Sequence, residues 1–301
     1  MKLTILGCHA ATPRTLSNPT AQVLEVGKHV FLIDCGEATQ VQLRRNKVRF
    51  ARINQIFISH LHGDHVFGLV GLISTFMLLG RKNPLHIYGP KGIREFITVQ
   101  LRLAGAWSAY ELVFHELTAT EPQMIFENDQ VSVTTIPLKH RMYTNGFLFL
   151  EKPGLRKLNR EAAVLQGVES CYFRNAVLGK DVVNKNGDVV PATAITFAPL
   201  PVKSYAFCSD TAYDESIVPL VKGVTAMYHE STFLDEHEDL AAKTGHSTAR
   251  QAAIIAKMAG VSKLILGHYS TRYDGLGTFL QQAQSVFEAV ELAEDGKIIE
   301  F

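Results

Sequence analysis

The sequence predicts a layered α/β fold in which helices cover the sheets, and three observations carry that prediction. Short apolar runs of strand type alternate with helical runs over most of the 301 residues. Polar, ligand-forming residues repeatedly follow the ends of those apolar runs, where α/β architectures gather their sites. A chain that is 47% hydrophobic can bury a large core.

Residues 1–7 read as a first strand. Residues 23–26 and 30–33 flank Gly27-Lys28, a turn that suits a hairpin. Residues 37–43 have helical composition and start after Gly36. Residues 53–59 form a buried strand, and 66–79 read as an apolar helix in which Gly68 and Gly71 permit close approach to neighbours. A strand and turn at 85–90 precede an amphipathic helix at 92–103. Strands follow at 131–137 and from 147 to 150. The stretch 151–195 breaks the pattern with Pro153-Gly154, a basic trio (Arg156, Lys157, Arg160) and the turn Asn184-Lys185-Asn186-Gly187. It reads as an inserted arm projecting from a single domain that spans 1–301. Strands at 203–209 and 225–228 follow, then a helix at 248–258 that Ser247 and Thr248 are suited to cap. A strand at 263–266, a helix at 277–290 and a closing strand at 297–301 complete the chain.

Thirty Lys and Arg residues nearly balance 29 Asp and Glu residues, so no global basic field announces a polyanionic partner. Binding to such a partner has to come from local patches and metals. Arg44, Arg45, Lys47, Arg49 and Arg52 form one patch. Cys8, Cys35 and Cys208 lie in or beside apolar runs and read as small core residues; no CxxC pair is present among them and Cys171. This agrees with a reducing compartment. The first apolar run is too short for a signal peptide, and no stretch reaches membrane-spanning length, so a soluble, cytoplasmic enzyme without a membrane partner is expected. His86 and His115 read as structural.

The most informative run is Ser59-His60-Leu61-His62-Gly63-Asp64-His65, directly after Ile56-Phe57-Ile58. Imidazole and carboxylate donors suit Zn²⁺, with Mn²⁺ or Fe²⁺ as alternatives. His60 and His62 are two apart and face the same way on extended backbone. Four side chains are too few for two metal shells. His140, just past a strand, is the candidate third imidazole for the metal held by His60 and His62. His268 plays that part for the metal held by Asp64 and His65, and Asp210, after Phe207-Cys208-Ser209, is the candidate bridging carboxylate. Two cations about 3.5–4 Å apart can share a hydroxide and clamp the attacking and leaving oxygens of a displacement.

The run at 59–65 resembles the HxHxDH motif of the metallo-β-lactamase superfamily. Within it, the chain resembles the ribonuclease Z family, endonucleases that trim the 3′ trailer of precursor tRNA. Asp34-Cys35-Gly36-Glu37-Ala38-Thr39-Gln40 resembles the family's DCGEATQ signature, and Cys208-Ser209-Asp210-Thr211 its SGDT segment. His229-Glu230-Ser231-Thr232, Gly245-His246-Ser247-Thr248 and Gly267-His268-Tyr269-Ser270-Thr271-Arg272-Tyr273 resemble its HEAT, GHST and GHFSxRY motifs.

The resemblance implies a four-layer αββα metallo-β-lactamase sandwich with an inserted, exosite-like tRNA-binding arm at 151–195, a homodimer, and two Zn²⁺ per subunit. By motif it places His60, His62, His140 and Asp210 at one metal and Asp64, His65, Asp210 and His268 at the other. Asp64 is also the implied proton acceptor. Glu230 is implied to support His246, which helps the leaving oxygen depart, and Ser270, Thr271 and Arg272 are implied at the scissile phosphate. The implied reaction is metal-hydroxide attack on a precursor tRNA phosphodiester, leaving a 3′-hydroxyl on the tRNA and a 5′-phosphate on the trailer. The arm departs from the family: Gly167-Val168-Glu169-Ser170-Cys171 lacks the expected Gly-Pro. Docking is therefore expected to depend on the arm and on the patch from Arg44 to Arg52. A hydrolase of the same superfamily acting on small phosphodiesters or other esters, and a tRNA-binding factor without turnover, are the rival readings.

Overall fold

A computed structural model describes every residue except Pro13, Trp107 and Ser108. By internal contacts the chain divides into two compact units, 1–150 with 203–301, and 151–202.

The larger unit contains two seven-stranded sheets. The first runs in the spatial order Ile298–Glu300, Lys2–Gly7, Ala21–Val26, His29–Ile33, Ile53–Phe57, Leu85–Pro90, Leu112–Leu117. The second runs Val290–Leu292, Leu264–Gly267, Ala226–Glu230, Ser204–Cys208, Thr144–Glu151, Val131–Leu138, Met124–Glu127. Strand alternation sorts the apolar side chains between two cores. Leu3, Ile5, Leu24, Phe31 and Phe57 join Phe147, Phe149, Tyr205 and Phe207 of the second sheet in one buried cluster. Phe31 and Phe149 have ring centroids 5.4 Å apart, as do Phe57 and Phe147. The intervening residues Leu6, Val23, Val30, Leu32 and Ile56 instead pack with Leu69, Leu72, Ile73, Ile93 and Ile97 on helices outside the first sheet. On the second sheet, the helices Ala249–Ala259 and Gly277–Gln284 contribute Ala252, Ala256 and Phe279 to the buried core. Helix, sheet, sheet, helix is the resulting α/β sandwich.

Local rules set several boundaries. Thr248 caps its helix with a capping box: its hydroxyl accepts from the Gln251 amide at 3.2 Å, and Gln251 Oε1 accepts from the Thr248 amide at 3.0 Å. The helix expected over 66–79 is two helices, Gly63–Val66 and Leu69–Leu78. Its continuity breaks because the Gly68 amide donates at 2.9 Å to the Cys35 carbonyl instead of to the preceding turn. The helix expected to reach residue 290 stops at Gln284, because Val290–Leu292 pairs in parallel with Leu264–Leu266 as an edge strand. The strand expected at 225–228 runs on to Glu230, which carries that carboxylate into the interior.

The smaller unit has its own core of Ala163, Val168, Ala176, Val182, Val190 and Ile195. It runs past residue 195 because Thr196–Phe197 pairs with Lys157–Leu158. Cys8, Cys35 and Cys208 are buried free thiols, whereas Cys171 is exposed. His86 and His115 sit across paired strands with Nδ1 and Nε2 3.0 Å apart. No helix among the described residues is long and apolar enough to cross a membrane.

Candidate metal centre and its comparison with known proteins

All the ligand-type side chains singled out above follow strand ends in the two sheets or the short helices attached to them. His60 and His62 leave Ile53–Phe57, while Asp64 and His65 lie on the helical turn Gly63–Val66. His140 follows Val131–Leu138, Asp210 follows Ser204–Cys208, and His268 follows Leu264–Gly267.

The fold gathers them into two adjoining groups, His60, His62, His140 with Asp210, and Asp64, His65 with His268. In the first, His60 Nε2 lies 2.9 Å from His62 Nδ1, and His140 Nε2 lies 3.4 Å from that same atom. In the second, His65 Nε2 and His268 Nε2 are 3.3 Å apart, and each is 3.5 Å from Asp64 Oδ2. Asp210 faces both groups. Its Oδ1 is 3.2 Å from His65 Nε2 and from His268 Nε2, and its Oδ2 is 3.6 Å from His60 Nε2 and 3.9 Å from His140 Nε2. Ligand atoms about 2.0–2.1 Å from a tetrahedral ion lie about 3.3 Å from one another, so these donor spacings fit divalent metal ions.

Second partners orient the donors. Ser59 Oγ donates to Asp34 Oδ2 and so accepts from His60 Nδ1, 3.0 Å away. His65 Nδ1 lies 2.7 Å from Asp34 Oδ2, and His140 Nδ1 donates to the Gly245 carbonyl at 2.7 Å. Thr232 Oγ1 donates to Glu230 Oε2 at 2.6 Å and accepts from His268 Nδ1 at 2.8 Å. In each of these four rings the proton therefore belongs on Nδ1, and the Nε2 lone pair faces the centre. Gly245 makes this possible for His140. Its φ is +74°, and a Cβ there would sit 3.1 Å from His140 Nδ1.

Burial penalises charge throughout the site. It would raise the Asp210 carboxyl, but His268, His65 and His60 hold it well below the ordinary range. Burial likewise opposes an ionised Asp64, and His65 and His268 reverse that, keeping it strongly ionised. For His65 burial favours the neutral ring, yet Asp210, Asp64 and Asp34 raise its pKa well above the usual value, so without a cation Nε2 also carries a proton, which a metal ion would displace to free the lone pair. The hollow is thus rich in negative charge, which dications would neutralise.

A third arrangement adjoins these groups. Glu230 is fully buried and accepts four hydrogen bonds, from the Thr211 amide, the Thr232 amide and hydroxyl, and His246 Nδ1 at 2.7 Å. Burial pulls the His246 pKa down, but the Glu230 carboxylate outweighs it and holds it at about 9. His246 lines a cavity of about 490 Å³ together with His62, Asp64, Asp210, His268 and Arg141. Ser270 and Thr271 share that wall, while Arg272 is exposed outside it.

Asp34, Ser59 and Thr232 were not assigned a part from the sequence. The available signal was a polar residue at the end of each apolar run: Asp34 after Phe31-Leu32-Ile33, and Ser59 after Ile56-Phe57-Ile58. Asp34 and His268 both adopt left-handed backbone, with φ of 56° and 58°, as strained residues at functional centres do. Asp34→Asn tolerates that backbone but loses the charge that orients His65. Metal affinity is expected to fall about 10–100-fold in a chelator competition; unchanged affinity would remove Asp34 from the centre's design. A further donor trio, Cys8, His9 and Asp295, is accounted for by hydrogen bonds. The thiol donates to Asp295 Oδ1 at 3.5 Å, and Oδ2 accepts from the Asn18 amide and Nδ2.

Residues 1–155 match the family model described as "Anti-Pycsar protein Apyc1". That match ends before Asp210, Glu230, His246 and His268. Curated relatives cover nearly the whole chain. Ribonuclease Z of Bacteroides thetaiotaomicron is 43% identical over 99% of this chain and 94% of its own length. Ribonuclease Z of Cytophaga hutchinsonii is 46% identical over 98% of this chain and 94% of its own. Among solved structures, the short form of human tRNase Z has a TM-score of 0.74 and 29% identity, covering 100% of this chain and 99% of its own. The metallo-β-lactamase fold protein YhfI from Bacillus subtilis has a TM-score of 0.69 at 18% identity over 99% of this chain and 98% of its own, a likeness of fold. The chain therefore belongs to the ribonuclease Z family on the metallo-β-lactamase fold, and its first half also falls within the family described as anti-Pycsar protein Apyc1.

Proposed function

We propose that this protein is a zinc-dependent endoribonuclease that removes the 3′ trailer from precursor tRNA, leaving a 3′-hydroxyl on the tRNA and a 5′-phosphate on the trailer. The observation that carries the reading is the convergence of two imidazole–carboxylate groups on Asp210 beside a Glu230-supported His246. His60, His62, His140 and Asp210 would hold one Zn²⁺, and Asp64, His65, Asp210 and His268 the other, with Mn²⁺ as an alternative metal. When bound, the ions supply Lewis acidity that lowers the pKa of water toward about 7 and offsets charge on phosphate oxygens.

The chain's own residues do the rest. Asp64 is ionised, and its Oδ2 is steadied by the Ala11 amide at 2.8 Å, which orients the carboxylate to take a proton from the attacking water. His246 is charged at neutral pH through Glu230 and has Nε2 left to donate to the departing 3′-oxygen. Ser270 and Thr271 are positioned on the wall to hydrogen-bond phosphate oxygens. Arg272, exposed outside the wall, would meet phosphate further along the RNA.

The unit 151–202 is read as the tRNA-docking arm, supported by its basic Arg156, Lys157 and Arg160. Binding through such local patches steepens with each phosphate neutralised, so affinity should fall with added salt. A homodimer in the cytoplasm completes the reading; the free thiols of Cys8, Cys35, Cys171 and Cys208 are in keeping with a reducing compartment.

The test is incubation of zinc-replete protein with an end-labelled tRNA bearing a 3′ extension, mapping the cut and its end groups. One cut leaving a tRNA 3′-hydroxyl is expected. Hydrolysis of a small phosphodiester with no cut in structured tRNA would favour the rival hydrolase, and binding without cleavage the non-catalytic factor.

A further inference from the structure

Arg141 stands exposed on the wall of the metal cavity, in the bend between Val131–Leu138 and Thr144–Glu151. Among the described residues that line the cavity it is the one permanent cation. No hydrogen bond or ion pair to another described residue occupies its guanidinium. The bend that carries it is nonetheless pinned on both sides. The Lys139 amide donates to Thr211 Oγ1 at 3.1 Å, and the Ala212 amide donates to the Lys139 carbonyl at 2.8 Å. The Tyr143 hydroxyl donates to the Ala119 carbonyl at 2.8 Å. A Cβ at Gly245 would come within 3.6 Å of the Arg141 amide nitrogen and 3.7 Å of its Cγ. The stem of Arg141 therefore runs over the residue that precedes His246, and its charge opposes the protonation of that ring.

An arginine that works against the charge of its neighbour, and that ties no part of the fold together, has its donors free for a ligand. A guanidinium on a fixed bend beside a phosphodiester site suits the forked pair of hydrogen bonds that a phosphate accepts. Positive and negative side chains nearly cancel over the whole chain, so such a contact rests on individual cations. Arg272 lies outside this wall, which leaves the part to Arg141.

The connectivity of RNA selects the phosphate. In the reading above His246 serves the departing 3′-oxygen, so the ribose of the last retained nucleotide belongs on the His246 side of the cavity. That ribose carries, through its 5′-oxygen, the phosphate that joins it to the nucleotide before. Arg141 is the cation on that side.

We propose that Arg141 holds the phosphate on the 5′ side of the last retained tRNA nucleotide. The proposal rests on the precursor-tRNA reading. The experiment measures kcat and KM of zinc-replete wild type, Arg141→Ala and Arg141→Lys on three precursors. One has charged phosphates throughout, one has a neutral methylphosphonate at the proposed linkage, and one has it between the first and second trailer nucleotides. All three carry deoxyribose on the 5′ side of both test linkages, so only the phosphate charge differs. For wild type, neutralising the proposed linkage should raise KM about 10-fold with little change in kcat. Arg141→Ala should show that raised KM on the fully charged precursor, and neutralising the proposed linkage should change nothing further. Its response to the trailer linkage should equal that of wild type. Arg141→Lys, which keeps the charge and loses the fork, should fall between the two. The salt slope of binding should be about 1 shallower in Arg141→Ala than in wild type. Losses that multiply when Arg141→Ala meets the neutral linkage, or a variant that stops responding to the trailer linkage instead, would overturn the proposal. So would a fall in kcat with KM unchanged. Because wild type on the first two precursors is itself a test, a variant that fails to fold leaves a decision: no response to the neutral linkage overturns the proposal. Wild type that cuts the charged precursor without this pattern refutes the part given to Arg141 alone. Failure to cut it refutes the parent reading, and this proposal with it.

Discussion

Asp210→Ala is expected to empty the metal centre and to lower cleavage of a 3′-extended precursor tRNA by at least about 10³-fold, while circular dichroism shows a folded protein. The magnitude follows from the geometry. Among the clustered donors, Asp210 is the carboxylate that faces both groups, 3.2 Å from His65 and His268 on one oxygen and 3.6 Å from His60 on the other. It is only 2% exposed, so water cannot take its place freely. Without it the imidazoles would lose the anion that would counter the two dications proposed above at close range. Lewis-acid stabilisation is worth several kcal/mol, and each 1.36 kcal/mol is tenfold in rate, so losing it exceeds three decades. Asp210→Asn should behave similarly, because it keeps the shape but loses the charge and one of the two donor oxygens. Metal content by elemental analysis and single-turnover cleavage check both variants. A full metal complement with cleavage within about tenfold of wild type would show that Asp210 does not bridge.

Much of this centre could be read from the chain because its signals are local. His60 and His62 alternate on extended backbone directly after an apolar strand, and Asp210 and His268 each close a similar run. What stayed hidden depends on contacts between distant segments. Asp34 meets His65 because His29–Ile33 pairs in parallel with Ile53–Phe57, which brings its carboxylate beside a ring 31 residues away. Thr232 matters because it passes a hydrogen bond from His268 to Glu230, a relation no spacing encodes. The same limit explains the helices. Residues 66–79 are apolar apart from Ser74 and Thr75, so periodicity shows no break at Gly68. The interruption at Gly68 arises from the Cys35 carbonyl, supplied by a different loop. Residues 277–290 look helical until Val290 finds Leu264 as a strand partner. Strand-to-ligand order was therefore legible, whereas the shell that aims the ligands required the fold.

Glu230→Gln is expected to cut turnover at pH 8 by about 10²–10⁴-fold and to move the alkaline limb of the rate profile to lower pH. Glu230 is what keeps His246 charged. Burial alone would push that imidazole below its ordinary value, and the carboxylate 2.7 Å away raises it to about 9. The charged form is present below the raised pKa and is lost as pH climbs through it. In wild type, His246 can therefore donate across the neutral range. Glutamine keeps the volume, but its single oxygen can accept from the Thr211 side or the Thr232 side and not from both, and it contributes no charge, so burial prevails and His246 is neutral by pH 8. Lowering the pH should recover part of the Glu230→Gln deficit until the ligand imidazoles protonate. Glu230 also reaches the proposed metal ligands, through Thr232 to His268. A purely structural part there would show as lost metal with no displaced limb. The double variant Glu230→Gln/His246→Ala separates the two: if Glu230 acts through His246, it is no slower than His246→Ala alone. Multiplicative losses, or an alkaline limb that does not move in Glu230→Gln, would break the link between this carboxylate and the departing oxygen.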